Sequence, residues 1–287
     1  MREDANGHVQ TWTSCADLSN ARQITSDPPR NNGWAVWSPD GTHIAFNSDR
    51  DDPDLESDPE VWDIYTMRAD GTDWTKLTNA VGLLGDPGYS PDGKLIAFDS
   101  DEPDKQGIYV LDASDGSNMR LVAALPDDAT VDFSPRFSPD GQRLVFSRET
   151  GPHSAALYVV NVDGSELTRI TDPSVMPGQA AWSPDGTRIA FEADLVAGRG
   201  DAWIVGADGS GLRNLTGAPR QAGFWEGFSD PVWSPDGSLI MLIHGKHYDD
   251  GRVTGGLATI RPDGTDLRYV TDGLGGEHLP DWNARAC

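Results

Sequence analysis

The stretch WSPDGTHIAF, residues 37–46, decides the fold, because the chain contains five versions of it. The other four read YSPDGKLIAF, FSPDGQRLVF, WSPDGTRIAF and WSPDGSLIML, and they begin at residues 89, 137, 182 and 233. Successive copies are therefore 45 to 52 residues apart. Self-similarity at such a period indicates a repeat architecture, in which each unit buries its apolar face only by stacking on the next.

Each repeat contains the signals of four short strands. Ser-Pro-Asp-Gly is a turn sequence, since proline presets φ at the second turn position and glycine accepts the positive φ that follows. The apolar run after it, Ile44-Ala45-Phe46 in the first copy, is typical of a buried strand. A third strand such as DIYTMRADG and a fourth that ends in Leu-Thr complete the unit. Four strands at this spacing are the content of one β-propeller blade.

The chain ends carry the parts of a sixth repeat. ARQITS, residues 21–26, has the pattern of a fourth strand, which places Trp12 in the slot of Tyr65. HLPDWNARAC, residues 278–287, places Trp282 in the slot of the repeated aromatic residue. A ring closed by both termini leaves no open sheet edge. The sequence therefore predicts an all-β fold, a six-bladed β-propeller of four-stranded antiparallel blades whose ring is closed by a split blade made from both termini.

We expect a single β-propeller domain over residues 1–287, because closed β architectures often exceed the usual domain length. The predicted blades span about residues 33–79, 84–124, 131–172, 177–217 and 228–272, and the split blade combines 276–287 with 8–27.

The repeat unit resembles that of the TolB-like β-propeller family, a relative of the WD repeat. The resemblance lies in the aromatic-Ser-Pro-Asp-Gly turn, the apolar strand, the Ile-Tyr-Val strand and the Asp-Gly-Ser/Thr turn, and it covers nearly the whole chain. It implies a propeller fold. The family's namesake works in the periplasm with the lipoprotein Pal and has an α/β domain ahead of its propeller. Because no such domain precedes residue 9, we do not expect the Tol role here.

The charge balance limits the partners. With 46 acidic and 22 basic residues the formal net charge is −24, which argues against nucleic acid and anionic membranes, since both need clustered lysine and arginine. A cationic partner or a metal ion is compatible with this charge, and so is an acidic surface that only keeps the protein soluble. No apolar stretch reaches the ~18 residues of a membrane-spanning helix. We expect a monomer that does not insert into membranes.

The two cysteines bear on the compartment. The predicted split blade brings Cys15 and Cys287 to the same end of one sheet, where a disulfide would clamp the ring. A disulfide between the termini implies an oxidising compartment, which predicts a periplasmic or secreted protein. The first ten residues, MREDANGHVQ, lack the apolar core of an export signal. The alternative is a pair of unrelated free thiols.

In a blade whose strands alternate in direction, the loops that vary in length lie on the face opposite the Ser-Pro-Asp-Gly turns. Function in rigid scaffolds is usually carried by such loops. Carboxylates follow the second strands at equivalent positions, where rotational symmetry would gather them into a ring that could hold Ca²⁺. They are Asp49, Asp101, Glu149 and Asp194. Solvated surface carboxylates are the alternative.

A second set of residues opens the first strands, nearest the predicted ring axis. These residues predict a polar, acidic channel mouth suited to a cation, an amine or a hydroxyl-rich ligand. They are Trp34, Asp86, Asp132, Gln179, Asp230 and His278. The alternative is that pairs such as Asp86-Pro87 only bond their own backbone.

A third set is aromatic. The long connection before the fifth repeat places Phe224 and Trp225 in a loop, and His247 and Tyr248 follow in the same repeat. These rings could stack on a sugar or frame a peptide. Alternatively, they anchor the inserted loop.

Together these features predict a protein- or carbohydrate-binding module that acts through its acidic, variable-loop face. No catalytic residues are assigned, because the chain has neither the G-x-S-x-G elbow of serine hydrolases nor the His-Glu-x-x-His motif of zinc proteases. The alternative is a carbohydrate-active propeller enzyme, a polysaccharide lyase or glycoside hydrolase, in which His247, Tyr248 and His278 would transfer protons. Ca²⁺ is the one cofactor that the carboxylates suggest.

Overall fold

The computed structural model describes residues 2–3, 8–13, 20–26, 30–52, 61–196, 199–217 and 223–271. These residues form five four-stranded antiparallel sheets, each built from four consecutive strands in sequence order. We call the sheets blades 1 to 5 and number the strands within each blade from first to fourth.

The strands of blade 1 are Asn32–Trp37, His43–Ser48, Asp63–Arg68 and Thr75–Lys76. Those of blade 2 are Leu84–Tyr89, Leu95–Ser100, Gly107–Asp112 and Arg120–Ala124. Blade 3 contains Val131–Phe137, Arg143–Gly151, Ser154–Asn161 and Thr168–Arg169, and a 3-10 helix, Pro173–Val175, follows it. Blade 4 contains Pro177–Trp182, Arg188–Val196, Arg199–Gly206 and Arg213–Asn214. Blade 5 contains Phe224–Trp233, Ile240–Tyr248, Val253–Ile260 and Arg268–Tyr269.

The prediction of six blades is wrong, because the structure has five four-stranded blades. Within the described residues, the predicted split blade is represented by two strands of two residues each, Trp12–Thr13 paired with Arg22–Gln23. Just upstream, Val9–Gln10 pairs with Arg2–Glu3 in a local hairpin and not with a second strand of a blade. Residues 276–287, used for the first strand of that blade, lie outside the described residues. The sequence motif alone does not determine a blade, because a blade also requires strands that are long enough to pair side by side.

The short strand Arg22–Gln23 packs on blade 1 much as one blade packs on the next. The Arg22 Nη2 atom donates to the carbonyl oxygen of Asp70 at 3.0 Å. Between blades 2 and 3, Arg120 donates in the same way to the carbonyl oxygen of Val162. The sequence pattern therefore located this strand, although it overestimated the number of strands in the sheet to which the strand belongs.

The Ser-Pro-Asp-Gly hairpin is confirmed in all five blades, where it joins the first and second strands. In blade 1 the Ser38 hydroxyl donates to Asp40 at 2.7 Å, and the Gly41 amide donates to the Ser38 carbonyl at 2.8 Å. Hydrogen bonds from Ser38 and Thr42 lower the pKa of Asp40 to about 2. The constant turn residues are therefore fully used in holding the turn.

The core lies between the blades. The second strands of blades 1 to 4 each contribute one phenylalanine that is no more than 1% exposed, and these residues are Phe46, Phe98, Phe146 and Phe191. In blades 1 to 3 the phenylalanine stacks on a tyrosine of the third strand with ring centroids 5.8 Å apart. Val145 of blade 3 packs with Ile189 of blade 4. Blades 2, 3 and 4 thus bury both faces against their neighbours.

A glycine pair tests how tightly the blades stack. Gly116 has a φ of 73° and a Cβ there would overlap the Leu77 carbonyl of blade 1, whereas Gly211, with a φ of 66°, has nothing within 4 Å of such a Cβ. Both alanine substitutions carry the cost of a left-handed alanine, about 1 kcal/mol. We expect urea unfolding to show a loss near that value for Gly211→Ala and about 3 kcal/mol or more for Gly116→Ala. Equal losses would mean that blades 1 and 2 are not in tight backbone contact.

Candidate functional site

The first strand of every blade contains a bulge at the same place. The pairing between the first and second strands shifts register shortly before the repeated aromatic residue. The residue three positions before that aromatic has a left-handed backbone in four blades, at Trp34 (φ 44°), Asp86 (45°), Ser134 (56°) and Asp230 (50°). Gln179 occupies the same position in blade 4. Since a bulge re-aims its side chain, these residues form one structural set along the first strands.

Asp132, which the sequence analysis placed in this set, lies two positions earlier, and Ser134 takes its place. The Asp132 carboxylate accepts two hydrogen bonds of 2.6 Å from Nε and Nη2 of Arg148. Both side chains are buried, with exposed fractions of 0% and 5%. Burial raises the pKa of Asp132, and the adjacent guanidinium opposes that rise. Asp132 is therefore one half of an ion pair inside blade 3.

A second structural set, which the sequence analysis missed, links the blades. It occupies the position directly after the buried phenylalanine of the second strand. The bonds are Asn47 Nδ2 to the Leu84 carbonyl (3.2 Å), the Ser134 amide to Asp99 (3.2 Å), the Ser147 hydroxyl to the Gly178 carbonyl (2.6 Å) and the Asp230 amide to Glu192 (3.2 Å). Each bond joins a blade to the first strand of the next. A polar residue following an apolar strand core, as in AFN, AFD, VFS and AFE, is the sequence signal that could have found it.

Asp86 and Asp99 form a buried carboxyl pair within blade 2. Their exposed fractions are 9% and 6%. Ser134 contacts both, since its hydroxyl donates to Asp86 Oδ2 at 2.7 Å and its amide to Asp99 Oδ1. Asp86 Oδ1 is buried without a hydrogen-bond partner among the described residues. Burial raises the pKa of Asp86, and burial together with the charge of Asp86 raises the pKa of Asp99 well above its usual range.

Glycines make room for these carboxylates. A Cβ on Gly85 would lie 2.7 Å from Asp99 Oδ2, and a Cβ on Gly178 would overlap Glu192 Oε1. The two acids and the glycines that face them are therefore matched features of neighbouring strands.

The carboxylates expected to form a calcium ring are engaged locally where the structure describes them. Asp49 accepts hydrogen bonds from the amide and the side chain of Asn31 at 2.7 and 2.8 Å. Asp101 accepts one from the Leu83 amide at 2.7 Å, whereas Glu149 lies within the second strand of blade 3 and does not follow it. The side chain of Asp194 lies outside the described part. Within that part no three His, Cys, Asp or Glu side chains are arranged to hold a metal ion, so the calcium site stays a sequence prediction.

The predicted aromatic residues meet on blade 5. Its first three strands have ten, nine and eight residues, compared with six each in blades 1 and 2. The added length lies at the end opposite the Ser-Pro-Asp-Gly turn. There Phe224 pairs with Tyr248, ring centroids 5.7 Å apart, and Trp225 stacks on His247 at 3.8 Å and 4°. We call this extension the blade 5 arm, residues 224–228, 244–248 and 253–256.

The two aromatic pairs lie on opposite faces of the arm, because successive side chains of a strand alternate. The Trp225 and His247 rings lie close to glycines, since a Cβ on Gly227 or Gly245 would be 3.2 Å from them. Burial lowers the pKa of His247, which favours the neutral imidazole.

The remaining predicted residues fall elsewhere. Trp34 packs edge-to-face on Trp62 with centroids 5.6 Å apart. His278, Cys15 and Cys287 lie outside the described residues, so the predicted disulfide stays a prediction. No helix in the described ranges is long and apolar enough to cross a membrane.

Comparison with known proteins places the fold. The family model described as the TolB beta propeller domain (PD40) matches residues 125–283, more than half of the 287-residue chain. The Tol-Pal system protein TolB of Gluconobacter oxydans is 38% identical over 218 residues, which are 75% of this chain and 44% of that protein. The chain spans less than half the length of the curated relatives it matches.

Two solved structures are similar in fold. A putative TolB from Agrobacterium tumefaciens has a TM-score of 0.67 at 23% identity, covering 90% of this chain and 86% of that one. TolB from Acinetobacter baumannii has a TM-score of 0.67 at 19% identity, covering 93% of this chain and 61% of that one. At these identities the similarity concerns the fold alone.

The Asp86–Asp99 pair makes stability depend on pH. Because the pKa of Asp99 is raised in the folded state, the folded protein holds the proton more strongly than the unfolded chain, and stability falls as pH rises through the folded pKa. We expect Asp99→Asn to flatten the decline in the free energy of unfolding as pH rises above the ordinary range of a carboxyl pKa, measured by urea unfolding at a series of pH values. Asp101→Asn is the control, because the Asp101 carboxylate is exposed and accepts a hydrogen bond from the Leu83 amide. Parallel profiles for wild type and Asp99→Asn would refute the buried pair.

The ion pair of blade 3 can be tested separately. Arg148→Met leaves Asp132 buried and unpaired, which costs about 3–5 kcal/mol in comparable cases. We expect Arg148→Met combined with Asp132→Leu to recover most of that loss in thermal or urea unfolding. A double variant as unstable as the single one would mean that Arg148 acts through packing on Phe146 and Tyr158 instead.

Proposed function

Because this chain belongs to the TolB β-propeller family, as its repeats predicted, we propose that it is a protein-binding propeller that works outside the cytoplasm. The proposed binding surface is the loop face, opposite the Ser-Pro-Asp-Gly turns. It carries the loops between second and third strands and the connections between blades. The observation that carries the proposal is the difference between the two faces. The turn face repeats one set of hydrogen bonds five times, whereas the loop face differs in every blade.

The loop face projects further on blades 3 to 5 than on blades 1 and 2, because the strands there are longer. The second strands of blades 3, 4 and 5 have nine residues each, compared with six in blades 1 and 2. The blade 5 arm presents half-buried aromatic rings and the side chain of Val253, which is 63% exposed. Aromatic residues held rigidly at the edge of a polar surface are enriched in protein interfaces. This arrangement supports binding of a protein on that side of the ring.

The loop face is acidic at blade 2, where the strands are short. Asp101, Asp104, Asp127 and Asp128 are exposed on the loops of blade 2 and its connection to blade 3. Lys105, the basic residue between them, pairs with Glu102 at 3.1 Å. Complementary charge steers association and suppresses wrong partners. We therefore propose that the partner surface is basic on this side and apolar where it meets the blade 5 arm.

The carbohydrate-active alternative is less well supported. It requires His247 and Tyr248 to act on one reacting group. Their rings belong to opposite faces of the arm, since Tyr248 pairs with Phe224 and His247 with Trp225. Two side chains on opposite faces of a sheet do not converge on one atom, which favours binding over turnover at this place.

The Gluconobacter oxydans relative is a protein of the Tol-Pal system. From the family we propose a periplasmic or secreted location for this chain, and we extend no particular Tol-Pal partner to it.

A pair of matched double variants tests the loop face. Trp225→Ala with Asp128→Lys alters this face, and Met119→Ala with Glu166→Lys makes the same kinds of change on the turn face, where Met119 is 52% exposed. Each immobilised propeller would be exposed to periplasmic extract, and the captured protein would then be purified and its affinity measured by biolayer interferometry. We expect the loop-face variant to weaken binding about tenfold or more and the turn-face variant to match wild type. Equal affinity for all three, with unchanged thermal unfolding, would reject the loop face as the binding surface.

A further inference from the structure

A cleft between blades 3 and 4 gathers three arginines. It has a volume of about 780 Å³ and is lined by Arg143 of blade 3 and by Arg188 and Arg213 of blade 4. It opens beside the constant turns and is therefore away from the loop face. Three of the chain's 22 basic residues thus line one cavity of a protein whose net charge is −24.

Neutral groups hold these guanidinium groups in place. Arg143 lies over the Trp182 ring at 4.8 Å and Arg188 over the Trp233 ring at 5.0 Å. Arg213 donates to the carbonyl oxygens of residues 262 and 263 at 2.6 and 3.1 Å. Within the described ranges none of the three has a carboxylate oxygen within 4.0 Å. Their positive charges are therefore fixed in position without a direct counter-ion.

The equivalent cleft between blades 1 and 2 provides a comparison within the same chain. It has a volume of about 960 Å³, and its cations are neutralised, since Arg68 pairs with Asp73 at 2.5 Å and Lys94 with Asp92 at 3.1 Å. Two further carboxylates, Asp40 and Asp112, also line it. The architecture is the same, so the unpaired arginines of the cleft between blades 3 and 4 are a feature of its sequence.

Carboxylates near the arginines limit the charge of the cleft without blocking it. Asp208 and Glu166 also line the cleft, and Asp208 is engaged by the amide and hydroxyl of Ser210 at 2.9 and 2.6 Å. Turn carboxylates Asp140 and Asp185 interact electrostatically with Arg143 and Arg188. Asp263 interacts electrostatically with Arg213 in the same way. These carboxylates lower the net charge of the cleft, but none of them forms an ion pair with a guanidinium among the described residues.

We propose that this cleft binds a small oxyanion ligand, a phosphate or a carboxylate, with Arg143 as the principal contact. A guanidinium presents a planar fork of N–H donors that matches both oxyanions. The stacking on Trp182 positions this fork in advance, so that little side-chain freedom is lost on binding. The proposal is independent of the protein partner on the loop face.

The test is isothermal titration with inorganic phosphate in one arm and succinate in the other, at constant ionic strength set with chloride. We expect saturable binding in at least one arm, and the stronger arm identifies the ligand chemistry. Arg143→Gln should weaken that binding about tenfold, the worth of one charged hydrogen bond. Arg68→Gln, in the cleft between blades 1 and 2, should leave it unchanged.

Arg143→Lys is a control for a folding defect, because it keeps the positive charge but removes the planar fork of N–H donors. We expect it to weaken binding while thermal unfolding stays close to that of wild type. Heat that grows with added anion without saturating in either arm, or equal affinity in wild type, Arg143→Gln and Arg68→Gln, would overturn the proposal. Neither result would affect the proposed loop-face binding.

Discussion

The stacking of one blade on the next is the contact on which the whole structure depends. A four-stranded sheet has two apolar faces and no core of its own, so each blade is buried only through its neighbours. Three kinds of bond fix this stacking besides the apolar contacts. The indole of Trp233 donates to the Ala181 carbonyl at 3.1 Å, Arg213 donates to the outer turn of blade 5, and Glu192 accepts from the Asp230 amide. On blade 4 these bonds involve the first, fourth and second strands, respectively. Because they are spread across the sheet, they fix both the spacing and the angle between blades.

The same stacking accounts for carboxylates in the second strands, at positions directly after the buried phenylalanine. Asp99 and Glu192 bond the backbone of the next blade, at amides freed by the bulge in its first strand. The bulge leaves backbone groups unpaired within its own sheet, and the neighbouring side chain satisfies them. Burial of a carboxyl is unfavourable unless it is hydrogen-bonded or protonated. Burial and the charge of Asp86 raise the pKa of Asp99, and the hydrogen bond from the Ser134 amide opposes this rise only in part.

The repeat, the turn and the buried strand were predictable because each is a local pattern repeated five times. The number of blades was not, because two short N-terminal strands satisfy the pattern of a blade but pair only with each other among the described residues. Asp132 was assigned to the wrong set because a bulge changes which residue occupies a position, and only the pairing with the second strand reveals the bulge. Phe224 and Trp225 were placed in a loop, whereas they open the first strand of blade 5. Treating that region as a loop hid the alternation that separates the two pairs.

The division of the molecule into two faces follows from where these bonds lie. On the turn face, Asp40 and its counterparts are saturated by serine and threonine hydroxyls, and Gly116 lies against the backbone of the preceding blade. Substitution there disturbs the stacking itself. On the loop face the ring contacts of the arm, Trp225 with His247 and Phe224 with Tyr248, lie within blade 5 and do not repeat in the other blades. A surface whose side chains are free of the stacking can adapt to a partner, and for that reason we assign recognition to it.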